Sequence, residues 1–372
     1  MRRRDFIKYS GLGISLSMAP QLVTSCTSNS KPRYEDKVTV IIRIKGGMDG
    51  YHLIAPKGND FLLEGRPNIQ NKIEKEGILW RDDWYIRPNF GVILDLIQKD
   101  WLRVIPNVGY PDYNRLSHFK AQDYWETGSV VNDSKQYHNG WIGRLVDEGK
   151  IRALDNKTPV LVVDNEQTLF DKGDFSQAVY YTPYNRHSDL NPYVEEWLKD
   201  SNKSGQYGEI YESVNSQFEI NNKLKDVTPN LVDSKDIEGK LKQVADCIEK
   251  GLPFSVYNLT QSGYDTHHKQ SIRLEPLAKN LFEGLRAFAE RLNKGGNWNR
   301  VKVLVYTEFG RTIAENSNGG TDHGTANHTY LLGGELNDLW KDPDLSISTL
   351  DIGGVNYIKH KVDFRDIHSS LI

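Results

Sequence analysis

KVLVYTEFGRTIAENSNGGTDHGTANH, residues 302–328, opens on an apolar run and closes on a crowd of ionisable groups. KVLVYTE reads as a strand buried on both faces, because a short unbroken run rich in valine and leucine fits a covered sheet. Behind it come Glu308, Arg311, Asp322, His323 and His328, interleaved with Gly310, Gly319, Gly320 and Gly324. That much glycine argues against an ordinary helix. Ligands of parallel sheets gather beyond the carboxyl ends of the strands, so the residues just past the other strands have to be read alongside these.

Working outward, KVTVIIRI (37–44) is a β-branched run ending at Gly46-Gly47, and Asp49 comes next in GGMDG. WLRVIPNVG (101–109) is a second strand after a helix candidate around FGVILDLIQKD, and it leads to RLSHFKAQDYWETG, where Ser117 stands at an N-cap position ahead of a helix. A strand at PVLVVD precedes the helix DIEGKLKQVADCIEKG and the strand FSVYNLTQ, which runs into SGYDTHH with Asp265, His267 and His268. In the next helix, Ile272, Leu274, Leu277, Leu281, Leu285, Phe288 and Leu292 make a stripe at three- and four-residue steps that predicts a core-facing side. HTYLLGG reads as one more strand. Alternating strands and helices predict a mainly parallel sheet sandwiched by helices, an α/β fold, with residues 151–232 as an irregular insertion or cap rich in Asn, Asp and Tyr.

Four strands thus end in a hard oxygen ligand, an imidazole, or both. Divalent cations suit such a set: Zn²⁺ takes imidazole and carboxylate and leaves a position for water or substrate, while Ca²⁺ or Mg²⁺ take oxygen. Two ions about 4 Å apart can clamp both oxygens of a phosphoryl transfer. Ser117 at a helix start is a candidate nucleophile, and Arg311 and Arg115 are candidate clamps for anionic oxygens. Structural readings stand beside these: Asp49 as a turn residue, Ser117 as a simple cap, Asp265 or Thr266 as a cap for the long helix, and Glu308–Arg311 as an ion pair. His52, His138, His187, His360 and His368 lack such a context and read as surface or core histidines, and Trp141 and Arg144 as packing residues.

The N-terminus reads as a targeting segment. RRDFIK is a twin-arginine signature, and the weakly apolar run after it, containing Pro20, is shorter than the roughly 20 residues a membrane-spanning helix needs. VTSC places Cys26 behind a box typical of lipoprotein signals, so residues 1–26 read as an export signal, with a plain signal peptide as the alternative, and 27–36 as a polar tether. The expected location is periplasmic or at the cell surface, membrane-held through a lipid on Cys26. One other cysteine, Cys247, leaves no disulfide within the domain if Cys26 is lipidated. A formal net charge of −3 provides no basic footprint for nucleic acid.

GGMDG, RLSHFKAQDYWETG, GWIGRL, YDTHHKQ and EFGRTIAENSNGGTDHG together resemble the exported bacterial proteins called domain of unknown function 1501, over residues 37–372. That family is similar to the alkaline phosphatase and sulfatase superfamily. The resemblance implies an α/β sandwich with a two-metal site, in which Asp49, Asp265, His267, Glu308, Asp322, His323 and His328 supply ligands and Ser117 the nucleophile. It implies an ester of phosphate or sulfate as substrate, a small molecule or a glycan. A glutamate stands where aspartate-histidine is usual, and SHFKA lacks the Pro and Arg of a formylglycine sulfatase. VDFRDIHSSLI is a shorter end than the resemblance leads one to expect. The rival reading is a non-catalytic exported protein of the same fold that binds glycan or a protein partner.

Overall fold

The computed structural model describes residues 37–111, 117–130, 138–152, 159–164, 168, 170, 172–173, 179–180, 224 and 236–371. The export signal, the tether, Cys26, Arg115, His187 and most of the 151–232 insertion lie outside these residues. Among the described residues no helix is long and apolar enough to cross a membrane.

The central sheet has eight strands: β1 (Val38–Lys45), β2 (Leu102–Gly109), β3 (Val160–Val162), β4 (Val179–Tyr180), β5 (Val256–Ser262), β6 (Val301–Thr307), β7 (Asn327–Gly333) and β8 (Val362–Asp363). Their order across the sheet is β8-β2-β7-β6-β1-β5-β3-β4. Among the described residues only β7 runs antiparallel, against both β2 and β6, and every other pair is parallel. The sheet is therefore mainly parallel, as the run of apolar strands predicts.

Period-two alternation sends successive side chains of β1 to opposite faces. Val40, Ile42 and Ile44 join Leu274, Leu281, Leu285 and Phe288 of the long helix Gln270–Lys294 in one core. Ile41, with Leu304 and Tyr306 of β6, joins Trp125 and the C-terminal Phe364 in the other. The long helix packs mainly through Leu274, Ala278, Leu281, Leu285, Phe288 and Leu292. Ile272 is a correction to the predicted stripe: it is 73% exposed, since two residues ahead of Leu274 is about 200° around the helix, on the far side.

Register fixes where the site lies. Ile44 of β1 pairs with Thr307 of β6, and Lys45 with Ser262 of β5, so three parallel strands end level with one another. The helix His118–Thr127 comes after β2, which points the same way, while antiparallel β7 begins at this edge. The stretch after β6 is not a plain loop: Arg311–Glu315 and Thr321–His323 pair as an antiparallel hairpin, with Asn316, Gly319 and Gly320 at its turn.

Candidate metal centre

Two glycines make the convergence of loops possible. Gly46 sits at φ +120, and a Cβ there would lie 2.4 Å from the Asp265 backbone nitrogen. Only a residue without a side chain lets the β1 loop touch the β5 loop so closely. A Cβ on Gly320 would lie 2.3 Å from the carbonyl carbon of His267, so the hairpin turn rests directly on the same β5 loop.

Four side chains meet where these loops touch. One ligand atom each from His118, Asp265 and His323 lies within 4.8 Å of the others. His267 joins them, its Nε2 standing 3.0 Å from Asp265 Oδ1 and 3.1 Å from His323 Nε2. His118 Nε2 lies 3.5 Å from Asp265 Oδ2. Phe309 packs against the rings of both His118 and His323 and walls the cluster on one side.

Each of three groups is oriented from behind. His118 Nδ1 donates to Glu308 Oε1 at 2.6 Å, and Glu308 is fully buried with further donors in Gly46 N (2.9 Å) and Thr307 Oγ1 (3.1 Å). His267 Nδ1 donates to Asp322 Oδ1 at 2.7 Å. Arg311 Nη2 donates to Asp265 Oδ1 at 2.7 Å. A carboxylate behind an imidazole fixes its tautomer and raises its basicity, as metal-bound histidines generally require.

These contacts set the charge states. Burial works against the ionised Glu308 carboxyl, yet the hydrogen bonds from His118 and the backbone hold its pKa below the usual range. Burial likewise opposes ionisation of Asp265, but Arg311, His267 and His118 outweigh it and hold that group at about 2. The His267 hydrogen bond is the main cause that lowers Asp322, and the Glu308 hydrogen bond is what raises His118. With protons committed to Nδ1 of His118 and His267 by the carboxylates behind them, the Nε2 atoms of both rings face Asp265. His118 Nε2, itself buried, has no hydrogen-bond partner among the described residues. Imidazole nitrogens facing a carboxylate call for a cation between them, a proton or a metal ion. The donor set, three imidazole nitrogens and a carboxylate oxygen, is one that Zn²⁺ favours.

The remaining residues expected at the site fall outside this cluster. Asp49 is buried, both its oxygens accepting from Arg66 Nη1 (3.1 Å to Oδ1, 2.8 Å to Oδ2) and Oδ2 also from Gln270 Nε2 at 2.7 Å. Burial raises its pKa, but Arg66 and His52 overcome that and the net shift is downward. His328 is a core residue: its Nε2 bonds the Ile54 carbonyl (2.8 Å) and its ring packs on Tyr51 and Trp84. Burial pushes its pKa down to about 4. Its position near the start of β7 suggests a ligand, but the alternation of that strand turns it into the core. Arg311 is not free to clamp a substrate, since it also donates to the carbonyls of Gly46, Gly47, Tyr264 and Thr321. It pairs with Asp265, not Glu308. Neither Asp265 nor Thr266 caps the long helix, whose N-cap is Lys269 at φ 48. Ser117 is exposed at the N-cap of its helix, and its hydroxyl makes no capping bond.

The sequence puts His118 at a strand end without giving it a role, and it proves the hinge of the cluster. Its adjacency to Ser117 after an apolar strand is the available signal. Arg66 and Gln270, which lock Asp49, carry no signal, because their contacts span 17 and 221 residues of chain.

A mainly parallel α/β sheet with an imidazole–carboxylate cluster at the carboxyl edge of its strands defines the class. Residues 104–372 match the family described as "Protein of unknown function (DUF1501)", and the chain belongs to that family. No curated protein sequence matches the chain. Similar solved structures include the lipoteichoic acid synthase LtaP from Listeria monocytogenes, at 9% identity and TM-score 0.39, covering 84% of this chain and 70% of that one. The Zn complex of the C-terminal periplasmic domain of EcEptC from Escherichia coli is similar at 10% identity and TM-score 0.41, covering 85% and 78%. The alkaline phosphatase from the Antarctic bacterium TAB5 is similar at 10% identity and TM-score 0.37, covering 81% and 92%.

Proposed function

We propose that this protein is a metal-dependent hydrolase of a phosphate or sulfate ester, with His118, Asp265, His267 and His323 holding a divalent ion and Ser117 as nucleophile. The single observation that carries the reading is the convergence of imidazole Nε2 atoms on Asp265, with a carboxylate behind the rings of His118 and His267. A divalent ion in such a set acts as a Lewis acid on an ester oxygen and lowers the pKa of a nearby hydroxyl. The chain's own contribution is positioning. Ser117 is the residue before His118, exposed and with a hydroxyl not spent on capping, which supports it as the nucleophile. Backbone N–H groups in the first turn of its ten-residue helix are donors for developing negative charge. Asp265, 46% exposed at the side chain, keeps the cluster open to solvent and substrate.

The proposal extends to location: RRDFIK and VTSC support export and tethering through a lipid on Cys26. The test of activity uses the metal-loaded protein and a generic aryl phosphate and aryl sulfate. Ser117→Ala is expected to abolish turnover while bound metal and melting temperature stay near wild type. Turnover that survives this substitution excludes Ser117 as the nucleophile, and a wild type silent on every ester tried returns the protein to the class of binders.

A further inference from the structure

The resemblance implies two ions, and the residues on hand fit one of them only. We infer that the centre is mononuclear, with the guanidinium of Arg66 supplying to Asp49 the positive charge that a second ion would have supplied. This rests on the reading of the His–Asp cluster as a metal centre and narrows it.

Both oxygens of Asp49 already have buried donors. Asp49 accepts from Arg66 on both oxygens and from Gln270 on Oδ2, and Asp49 and Arg66 side chains are each 1% exposed. Arg66 is itself fixed, its Nε donating to the Ile313 carbonyl at 2.8 Å and its Nη2 to that of Thr312. A cation that displaced it would leave a buried guanidinium and two buried carbonyls unpaired, which is strongly destabilising. Glu308 is spent in the same way: Oε1 receives Gly46 N and His118 Nδ1, and Oε2 receives Thr307 Oγ1. His328 faces the core and bonds Ile54. Asp49, Glu308 and His328, three of the residues expected as metal ligands outside the His–Asp cluster, therefore all have protein partners.

Charge leads to the same count. The carboxylates of Asp49, Asp265, Glu308 and Asp322 surround this edge of the sheet. Arg66 balances Asp49 and Arg311 balances Asp265. Glu308 and Asp322 remain, each behind a ring that is neutral when it ligates a metal. One divalent cation neutralises that pair of charges, and a second would leave the pocket with a net positive charge beside two buried arginines.

The experiment is a count of metal on the full chain. The purified protein is stripped with chelator, titrated calorimetrically with Zn²⁺ alone, dialysed and assayed by atomic emission. One equivalent is expected, lost at least 100-fold in affinity in His323→Ala, and retained as one equivalent in Asp49→Asn. Two tight equivalents in wild type, falling to one in Asp49→Asn, overturn the inference while leaving a metal-dependent hydrolase intact. No tight equivalent overturns both. The wild-type count decides even if Asp49→Asn does not fold, because the Asp49–Arg66 pair is buried.

Discussion

The guanidinium of Arg311 meets acceptors on three separate segments: Gly46 and Gly47 after β1, Tyr264 and Asp265 after β5, and Thr321 in the hairpin. A lysine cannot reproduce that fork, having one nitrogen in place of a planar array of donors. Arg311→Lys is expected to leave at least one buried carbonyl without a donor, at about 1–3 kcal/mol each, and to free Asp265. Urea unfolding should show the loss, and an unchanged midpoint would contradict the assigned role. Asp322 offers a milder test, as it is 60% exposed and acts through His267. Asp322→Asn keeps size but weakens the acceptor, and metal affinity is expected to fall by about 10- to 100-fold with stability unchanged. At this scale the residue types were legible and their partners were not. The sequence marks Asp265, His267 and His323 as ligand-capable groups behind strands, and the structure does bring them together. It could not reveal that Arg311 pairs with Asp265, since the two lie 46 residues apart and Glu308 was the nearer carboxylate in the chain.

Among the elements, the hairpin Arg311–Glu315 and Thr321–His323 does most to place the cluster, because it carries His323 and Asp322 onto the β5 loop. The contact is backbone against backbone at Gly320. Gly320→Ala puts a Cβ 2.3 Å from the His267 carbonyl carbon, so one of the two segments has to shift. Metal affinity is expected to drop by roughly tenfold or more although no ligand changes, and isothermal titration would show it. Wild-type affinity in Gly320→Ala would mean that the two loops are not held in register by this contact. The strands and long helices were legible from apolar periodicity, β1 and β6 above all, since both are covered on two faces. The hairpin was less so. Its Asn-Ser-Asn-Gly-Gly stretch is turn chemistry, but the flanking strands are short and polar and lack a clear alternation. Ile272 was misplaced for a related reason: one apolar residue in a first turn satisfies a stripe by eye while lying on the opposite side.

For the whole molecule, buried histidines set the response to acid. Burial holds His328 neutral with a pKa lowered from 6.5 to about 4, and His368 to about 3. The unfolded chain takes up these protons near the ordinary value and the folded chain does not. Stability is therefore complete above about 6.5 and declines as pH falls through the window down to the folded values, by roughly 3 kcal/mol for His328 alone. His118 has the opposite sign, because its raised pKa in the folded state contributes stability below the ordinary histidine value and loses it as pH rises. His52, also buried, is shifted the same way by burial, and three buried rings outweigh one part-exposed ring, so the metal-free protein is expected to unfold at lower urea at pH 5 than at pH 7. A midpoint that rose or stayed level would show that these rings are not held neutral. The architecture as a whole was readable because a parallel sheet writes itself as apolar runs, and because the edge where its loops cluster is fixed by strand direction. Which ligand-capable groups stay open was not readable, for it depends on buried partners brought in from far along the chain.

The measurement that bears most directly on the metal centre is zinc K-edge X-ray absorption of the Zn²⁺-loaded protein. Three imidazoles and one carboxylate are expected in the nearest shell, with Zn–N distances of about 2.0–2.1 Å, and His118→Ala should remove one imidazole from the spectrum. An all-oxygen shell, or a spectrum indifferent to His118, would contradict a cation held between His118, Asp265, His267 and His323.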